Sequence, residues 1–144
     1  STPLERGADD PTVGAGRLVT LASPATLAML TARIKAHLGI THLRVARHAR
    51  HRDEDATIQT IALCPGAGGG LFEAVQSADC FLTGEMRHHD VLARVAQGAA
   101  VIVTDHTHSE RGYLPVLRDR LSALLDGAAE VMVSTADVEP LEVL

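Results

Sequence analysis

A short apolar run that ends abruptly in polar residues is the feature that most constrains how this chain can fold. Val101–Val103 is typical of a buried β-strand, and the polar residues Asp105, His106, His108 and Glu110 follow it closely. A buried strand that delivers polar side chains at its carboxyl end is how open α/β sheets build binding sites. The run therefore predicts an α/β protein with a site at one edge of its sheet.

The same succession of strand, turn and helix is predicted three times along the chain. Three such units in a row favour a largely parallel sheet with right-handed crossovers. All three turns would then lie at one edge of the sheet, because parallel strands share the same carboxyl edge. The predicted strands are 57–63, 79–83 and 100–104, the turns are 66–70, 83–89 and 105–110, and the helices are 71–77, 86–97 and one to about 125, divided near Pro115.

The first half of the chain adds flanking elements to these units. A helix is predicted over 24–38, with Ser23 as its N-cap and Pro24 at its first position. A short strand is expected before it over 17–21, and another after it over 43–46. Residues 1–13 show no periodicity and are interpreted as a loose lead-in or linker. A last short strand is predicted over 130–134.

A basic run over 44–52 has two interpretations. It could be a nucleic-acid patch, or the solvated tip of a hairpin whose charge is offset by the acids at 53–55. No aromatic residues are interleaved for base stacking, and the net charge of the chain is −5, so nucleic-acid binding is not expected. The core must be built mainly from Leu, Val, Ile and Ala, since aromatic residues are only 2% of the chain.

Composition also indicates the cellular compartment of the protein. Cys64 and Cys80 are too few for a disulfide framework, so a reducing compartment is the default. No apolar run approaches the roughly 18 residues of a membrane span, and no signal peptide is visible. We therefore expect a cytoplasmic protein without membrane partners, with the nucleus as an alternative location.

His106 and Glu110 are the first candidate site residues. They are four apart, so on a helix they would project from one face and could hold a divalent metal through nitrogen and oxygen. The alternative needs no metal: Ser109 would be an N-cap, and Glu110 in the first turn would complement the helix dipole. The spacing alone leaves both interpretations open.

The glycine-rich turn after the strand at 57–63 is a second candidate. Its backbone N–H groups, at Gly66 and Gly68 among others, could approach a phosphate or another substrate anion. A tight turn without any ligand explains the glycines equally well. Cys64 is interpreted as a small buried residue rather than a nucleophile. In the next turn, His88 and His89 are adjacent and diverge on a helix, so only one of them can face a site.

Four stretches of this sequence resemble the Nif-three-like family (Ngg-one interacting factor three), whose members are often described as GTP cyclohydrolase 1 type 2 homologues. The resemblance covers about residues 14–144, the C-terminal half of such a protein, and is to the animal-type members. The stretches are GAGRLVTL at 14–21, ALCPGAGGG at 62–70, LTGEMRHHD at 82–90 and DHTHSERG at 105–112.

The resemblance implies a fold and a site. It implies one α-β-(β-α)₃ repeat with a mixed, mostly parallel sheet whose first strand is antiparallel and whose helices lie on both faces. It implies a dinuclear centre of zinc, iron or manganese in a toroidal hexamer, with His106 and Glu110 as metal ligands. His89 falls at a motif position near the metals and is the candidate catalytic residue. Thr83 and Gly84 belong to the same motif and, with Gly66 and Gly68, are candidate substrate-binding residues.

The resemblance also implies that part of the site is missing from this chain. The family's adjacent His-His pair and an Asp lie in an N-terminal half that is absent here, and two side chains cannot saturate a four-coordinate zinc. Either another chain supplies the rest, or the piece has a weak or vacant site. The expected activity is metal-dependent hydrolysis of a nucleotide or similar small molecule. The alternatives are a regulatory or scaffold protein with transcription-related partners and, more weakly, a metal chaperone or store.

Overall fold

A computed structural model describes residues 1–136 and 139–141 of the chain as an α/β fold with two sheets. The helices and strands follow one another along the chain. They are β1 (Glu5–Arg6), β2 (Gly14–Ala15), β3 (Arg17–Thr26), α1 (Leu27–Leu38), β4 (Arg44–Arg47), β5 (Thr57–Ala67), β6 (Cys80–Glu85), α2 (His88–Ala96), β7 (Ala100–Val103), α3 (His106–Arg111) and α4 (Leu114–Leu125), with 3₁₀ turns at Ala49–His51 and Leu71–Ala74.

The main sheet has five strands in the order β3-β5-β6-β7-β4. The central strands β5, β6 and β7 are parallel, whereas β3 pairs with β5 and β4 pairs with β7 in antiparallel register. The mixed, mostly parallel sheet predicted from the sequence, with an antiparallel strand between α1 and the parallel units, is therefore confirmed. The carboxyl ends of the three parallel strands lie at one edge.

Helices cover both faces of this sheet, and each face has its own hydrophobic core. Along β7, Ile102 packs beneath α1, while Val101 and Val103 pack on the opposite face towards α2, as the alternation of a strand requires. Phe72 and Phe81 are fully buried in the second core and meet edge to face, with centroids 5.2 Å apart. The only two phenylalanines of the chain thus share a core that the sequence predicted to be mainly aliphatic.

The lead-in is attached to the main sheet. Glu5–Arg6 pairs with Gly14–Ala15 as a small antiparallel ladder, and Thr2 bridges to Leu18 through hydrogen bonds of 2.9 and 2.7 Å. Leu4 packs against the second core. Residues 1–13 therefore run along the fold rather than loosely away from it, although they carry no sequence periodicity.

Two element boundaries differ from the sequence prediction for identifiable reasons. Strand β3 continues through Ser23 and Pro24 to Thr26, because it pairs with β5 again after an irregularity between Thr20 and Ala25. Helix α1 then begins at Leu27, and the Thr26 hydroxyl accepts from the Met29 N–H as its N-cap. The predicted helix over 71–77 is a 3₁₀ turn of four residues, Leu71–Ala74.

Two other predicted elements are wrong. Residues 130–134 form no strand. The basic run is not the tip of a hairpin, because β4 pairs with β7 at the far edge of the sheet, three strands away from β5. His51 within it is buried, at 4% exposure.

Helix α4 lies almost entirely exposed, contrary to the prediction that its leucines face inward. Leu117 and Leu121 are 38% exposed, and Leu124 is 80% exposed. The break before α4 is confirmed, with Pro115 in its first turn. None of the helices in the described part of the chain is long and apolar enough to cross a membrane.

Candidate functional site

Helix α3 presents His106 and Glu110 together at the carboxyl edge of the sheet. Nε2 of His106 lies 3.5 Å from Oε1 of Glu110, and each side chain is about half exposed. The helix begins at His106, so Ser109 is not its N-cap. Its hydroxyl instead donates to the carbonyl of His106 at 2.6 Å and accepts from the Gly66 N–H at 2.8 Å. The two candidate ligands therefore share one face, as their spacing predicted.

The separation of these two atoms suits a shared metal ion. Nitrogen and oxygen donors that bind one tetrahedral zinc at ~2.1 Å lie roughly 3.4 Å apart. The observed 3.5 Å between Nε2 of His106 and Oε1 of Glu110 is close to that value. The distance between the two atoms is therefore compatible with two donors that share one divalent ion.

Gly66 leaves the space in which the two side chains stand. Its φ of +63° is in the left-handed region, and a Cβ there would collide with Oε1 of Glu110 and lie 3.1 Å from Nε2 of His106. The neighbouring oxygen and nitrogen could not both keep their places beside such an atom. Glycine at this position therefore suits the left-handed turn, and it leaves room for two side-chain ends that a Cβ would displace.

Glu85, the last residue of β6, holds the other nitrogen of the His106 ring. Its Oε1 lies 2.7 Å from Nδ1 of His106. The hydrogen bond to Glu85, together with the charge of Glu110, raises the pKa of His106 above its ordinary value. No sequence pattern singles out Glu85, although this residue stands at the carboxyl end of a predicted strand, directly after Thr83 and Gly84.

Thr83 and Gly84 pack the three turns against one another. The buried Thr83 hydroxyl donates to the carbonyl of Gly66 and accepts from the Gly68 N–H, both at 3.0 Å. A Cβ on Gly84 would come within 3.0 Å of Ser109 Oγ and of two carbonyl oxygens. These contacts build the edge, and the predicted substrate contacts of these residues, Gly66 and Gly68 included, stay predictions.

Cys64 lies beside the site but in a thiol form. Burial, and then the charge of Glu110, raise the pKa of its thiol. Its Sγ lies 3.3 Å from the carbonyl oxygen of Pro65. A raised pKa disfavours the thiolate that nucleophilic attack needs. Cys64 is half-buried rather than buried as predicted.

Asp105 directly precedes α3 and has an unusual backbone conformation. Its φ of 68° and ψ of 152° lie in a region that almost only glycine occupies. Its carboxylate accepts from Arg44 Nη2 at 2.9 Å and lies 3.6 Å from His42 Nε2. An ion pair from the neighbouring strand β4 thus holds the residue that precedes His106.

The remaining histidines do not join this pair. His108 contacts the carbonyl of Thr104 through Nδ1 at 3.2 Å, and its ring meets His42 edge to face. His88 and His89 are exposed at the start of α2 and meet each other edge to face, with centroids 6.1 Å apart. No hydrogen bond or ion pair connects His89 to His106 within the described residues, so its catalytic role stays a prediction.

The described residues supply only part of a coordination shell. Over 1–136 and 139–141, no cluster of three or more His, Cys, Asp or Glu side chains is arranged to hold a metal ion. A structural zinc needs four ligands, and a catalytic zinc commonly takes three from protein. Within the described residues, His106 and Glu110 are two candidate ligands, which is fewer than either kind of zinc site takes from protein.

Comparisons with known proteins identify a family and a fold. The sequence model of the family described as Duf34/NIF3 (NGG1p interacting factor 3) matches residues 3–140. The chain is 40% identical over 131 residues to human NIF3-like protein 1, an alignment covering 91% of this chain and 34% of that protein. It is 35% identical over 140 residues to NGG1-interacting factor 3 of Saccharomyces cerevisiae, covering 95% of this chain and 48% of that protein.

A solved structure shows the same fold. It is a Bacillus cereus protein related to NIF3, with a TM-score of 0.75 and 18% identity over 90% of this chain and 36% of that one. In each of these three comparisons the chain spans between a third and a half of its relative.

Proposed function

The chain belongs to the Duf34/NIF3 family, and on this premise we propose that it supplies two side-chain ligands of a divalent-metal centre in a metal-dependent hydrolase. His106 is the nitrogen ligand and Glu110 the oxygen ligand. The observation that carries the proposal is their 3.5 Å approach on one face of α3, in the space that Gly66 leaves open. The substrate class is a nucleotide or a similar small molecule.

The rest of the centre comes from residues outside the described part of this chain. Two ligands leave a zinc, iron or manganese ion unsaturated. The relatives are two to three times as long as the matched segment, which leaves room for further ligands in the same protein. Glu110 is also the residue of this chain that would be available to hold a second ion.

The chemistry of such a centre is hydrolysis. Bound there, a divalent ion would supply Lewis acidity and would lower the pKa of a bound water towards neutrality. In this chain, Glu85 and Glu110 surround His106 with negative charge and keep its ring oriented. His89, exposed at the start of α2, is available to move a proton to or from the substrate.

Calorimetric titration with zinc, and separately with manganese, tests the metal site. We expect His106→Ala and Glu110→Ala each to weaken binding by at least ~10-fold, since each removes a direct ligand. His37→Ala is the matched control, because His37 is an exposed histidine on α1. Unchanged zinc affinity in both site variants would contradict the metal centre.

The hydrolase activity needs the complete protein. We expect its metal-loaded form to hydrolyse a nucleotide such as GTP, and His106→Ala to abolish that turnover. A complete, metal-loaded protein that turns over no nucleotide would refute the hydrolase while leaving the metal site intact.

A second candidate function is protein binding, with the metal structural. The exposed apolar side chains of α4 favour it, and the yeast relative is named for an interaction with NGG1. Under this proposal, His106→Ala leaves partner binding unchanged, whereas Leu121→Glu on α4 abolishes it. The partner is another copy, as in a hexamer, or a transcription-related protein of the cytoplasm or nucleus.

A further inference from the structure

We propose that Glu85 is the positioning residue for His106: it holds Nδ1 of the imidazole and thereby directs Nε2 towards Glu110 and the metal. The proposal rests on the proposed function, because it assigns a task within the same site. It adds a residue that neither the spacing of His106 and Glu110 nor the prediction of ligands by resemblance included.

The contact between the two side chains has the geometry that this task requires. Glu85 Oε1 lies 2.7 Å from Nδ1 of His106, a distance typical of a charge-assisted hydrogen bond. When Nδ1–H donates to a carboxylate, the lone pair of the neutral ring is left on Nε2. Nε2 is the nitrogen that lies 3.5 Å from Glu110. The hydrogen bond therefore fixes both the tautomer and the direction of the ligand atom.

The backbone around Glu85 is built to keep this contact. Glu85 ends β6 opposite Ala67, the residue after Gly66 in the neighbouring turn. Gly84, just before it, packs so closely on Ser109 Oγ and the Asp105 carbonyl that a Cβ could not be inserted. The end of β6 is thereby set against α3, and the Glu85 side chain spans the remaining gap.

Among the described residues, the Glu85 side chain makes no hydrogen bond or ion pair other than the one to His106. This side chain is also 54% exposed. A carboxylate in this position does not support the core, so a loss of metal affinity on its removal would come through His106. A carboxylate on the second nitrogen of a ligating histidine raises the basicity of the ligand as well as orienting it.

Zinc affinity of single variants gives the first test. We expect Glu85→Ala to weaken zinc binding by roughly 10- to 100-fold. Glu85→Gln should cost less than Glu85→Ala, because the amide oxygen still accepts from Nδ1–H. Glu73→Ala, at an exposed carboxylate in the turn before β6, is the control and should bind zinc like the unaltered chain.

The tautomer of His106 in the metal-free chain gives a readout that a merely structural role would not move. At a pH of about 8.5, above the ordinary histidine pKa, ¹⁵N-edited NMR should show the proton of His106 on Nδ1. Glu85→Ala should lower the population of that tautomer, and Glu85→Gln should largely restore it.

The two proposals fail in different ways. If His106→Ala weakens zinc binding but Glu85→Ala leaves affinity and tautomer unchanged, Glu85 does not position the ligand and only this inference falls. If His106→Ala leaves zinc binding unchanged, the metal centre itself falls, and the inference falls with it whatever the NMR shows.

Discussion

The two ends of the parallel strands carry similar residues put to different uses. At the carboxyl end, Glu85, His106 and Glu110 lie half exposed in open space. At the amino end, Asp79 stands just before β6 with its carboxylate surrounded by donors. The comparison shows that residue type alone does not separate a site from a structural network. What separates them is how much hydrogen-bonding capacity remains unused.

The carboxylate of Asp79 accepts four hydrogen bonds within the fold. Its Oδ2 accepts from the N–H groups of Gln59 and Thr60 and from the Thr60 hydroxyl, at 2.9 to 3.0 Å. Its Oδ1 accepts from Arg50 Nη2 at 3.1 Å. Burial alone would raise the pKa of Asp79, but these hydrogen bonds and the Arg50 charge outweigh it and lower the pKa. Most of the accepting capacity of this carboxylate is therefore used within the fold.

The largest expected effect is the loss of this network. Asp79→Ala leaves two backbone N–H groups and Arg50 without their acceptor, and we expect it to lower the free energy of unfolding by about 2–3 kcal/mol. Urea denaturation measures this value. Zinc affinity should not change, because Asp79 lies at the other end of the strands. Equal destabilisation by Glu85→Ala would remove the distinction between the two ends.

The pH dependence of the Asp79 effect has a definite sign. A carboxyl whose pKa is lowered by folding stabilises the fold fully above its unfolded pKa, and this contribution is lost as pH falls through the folded pKa. The stability gap between the unaltered chain and Asp79→Ala should therefore be constant above about pH 5 and narrow below about pH 3.9. A gap that widened in acid would contradict the assignment.

An intermediate effect is expected at Gly66, where two variants separate backbone strain from crowding of the site. Gly66→Ala places a Cβ against Glu110 and His106 at a φ of +63°, and Gly39→Ala, at a φ of +68°, meets nothing within 4 Å. Both should cost about 1 kcal/mol through the left-handed backbone. Only Gly66→Ala should also weaken zinc binding, by calorimetry. Equal zinc affinity in the two variants would show that the space beside Gly66 is not part of the site.

The smallest expected effect concerns the strained entry to α3. Asp105→Gly and Asp105→Ala both lose the ion pair with Arg44, but only the alanine variant keeps a Cβ in the unfavourable conformation. We expect the glycine variant to be the more stable of the two by roughly 0.5 kcal/mol in thermal unfolding, because the release of backbone strain is partly offset by the greater chain entropy of glycine. If the alanine variant were the more stable, Asp105 would not be strained.

The sequence predicted those features of the fold that depend on local contacts or on the packing of the sheet. The three parallel strands and their shared edge followed from apolar runs and glycine positions, because such units favour a parallel sheet. The helix predicted after the first of these strands is a 3₁₀ turn instead. The pairing of His106 with Glu110 followed from helical periodicity. Local pattern was sufficient wherever the contacts were local or were imposed by the sheet.

Features that depend on distant contacts were missed. Ser23 and Pro24 have the chemistry of a helix start, yet they lie in β3 because β5 offers a partner strand. The leucines of α4 have helical spacing but remain exposed, since the described residues place no element over them. The role of Glu85 was not predicted, because it depends on a 2.7 Å contact with His106, which lies in a different strand–turn–helix unit.

The position of β4 has a consequence for how the molecule folds. β4 joins the sheet beside β7, although β5 and β6 lie between them in the sequence. Closing so long a loop costs entropy before any ladder bond compensates for it. We therefore expect the edge that holds Asp105 through Arg44 to form late in folding, after the parallel core. Refolding kinetics should then show β4 acquiring amide protection more slowly than β5 and β6.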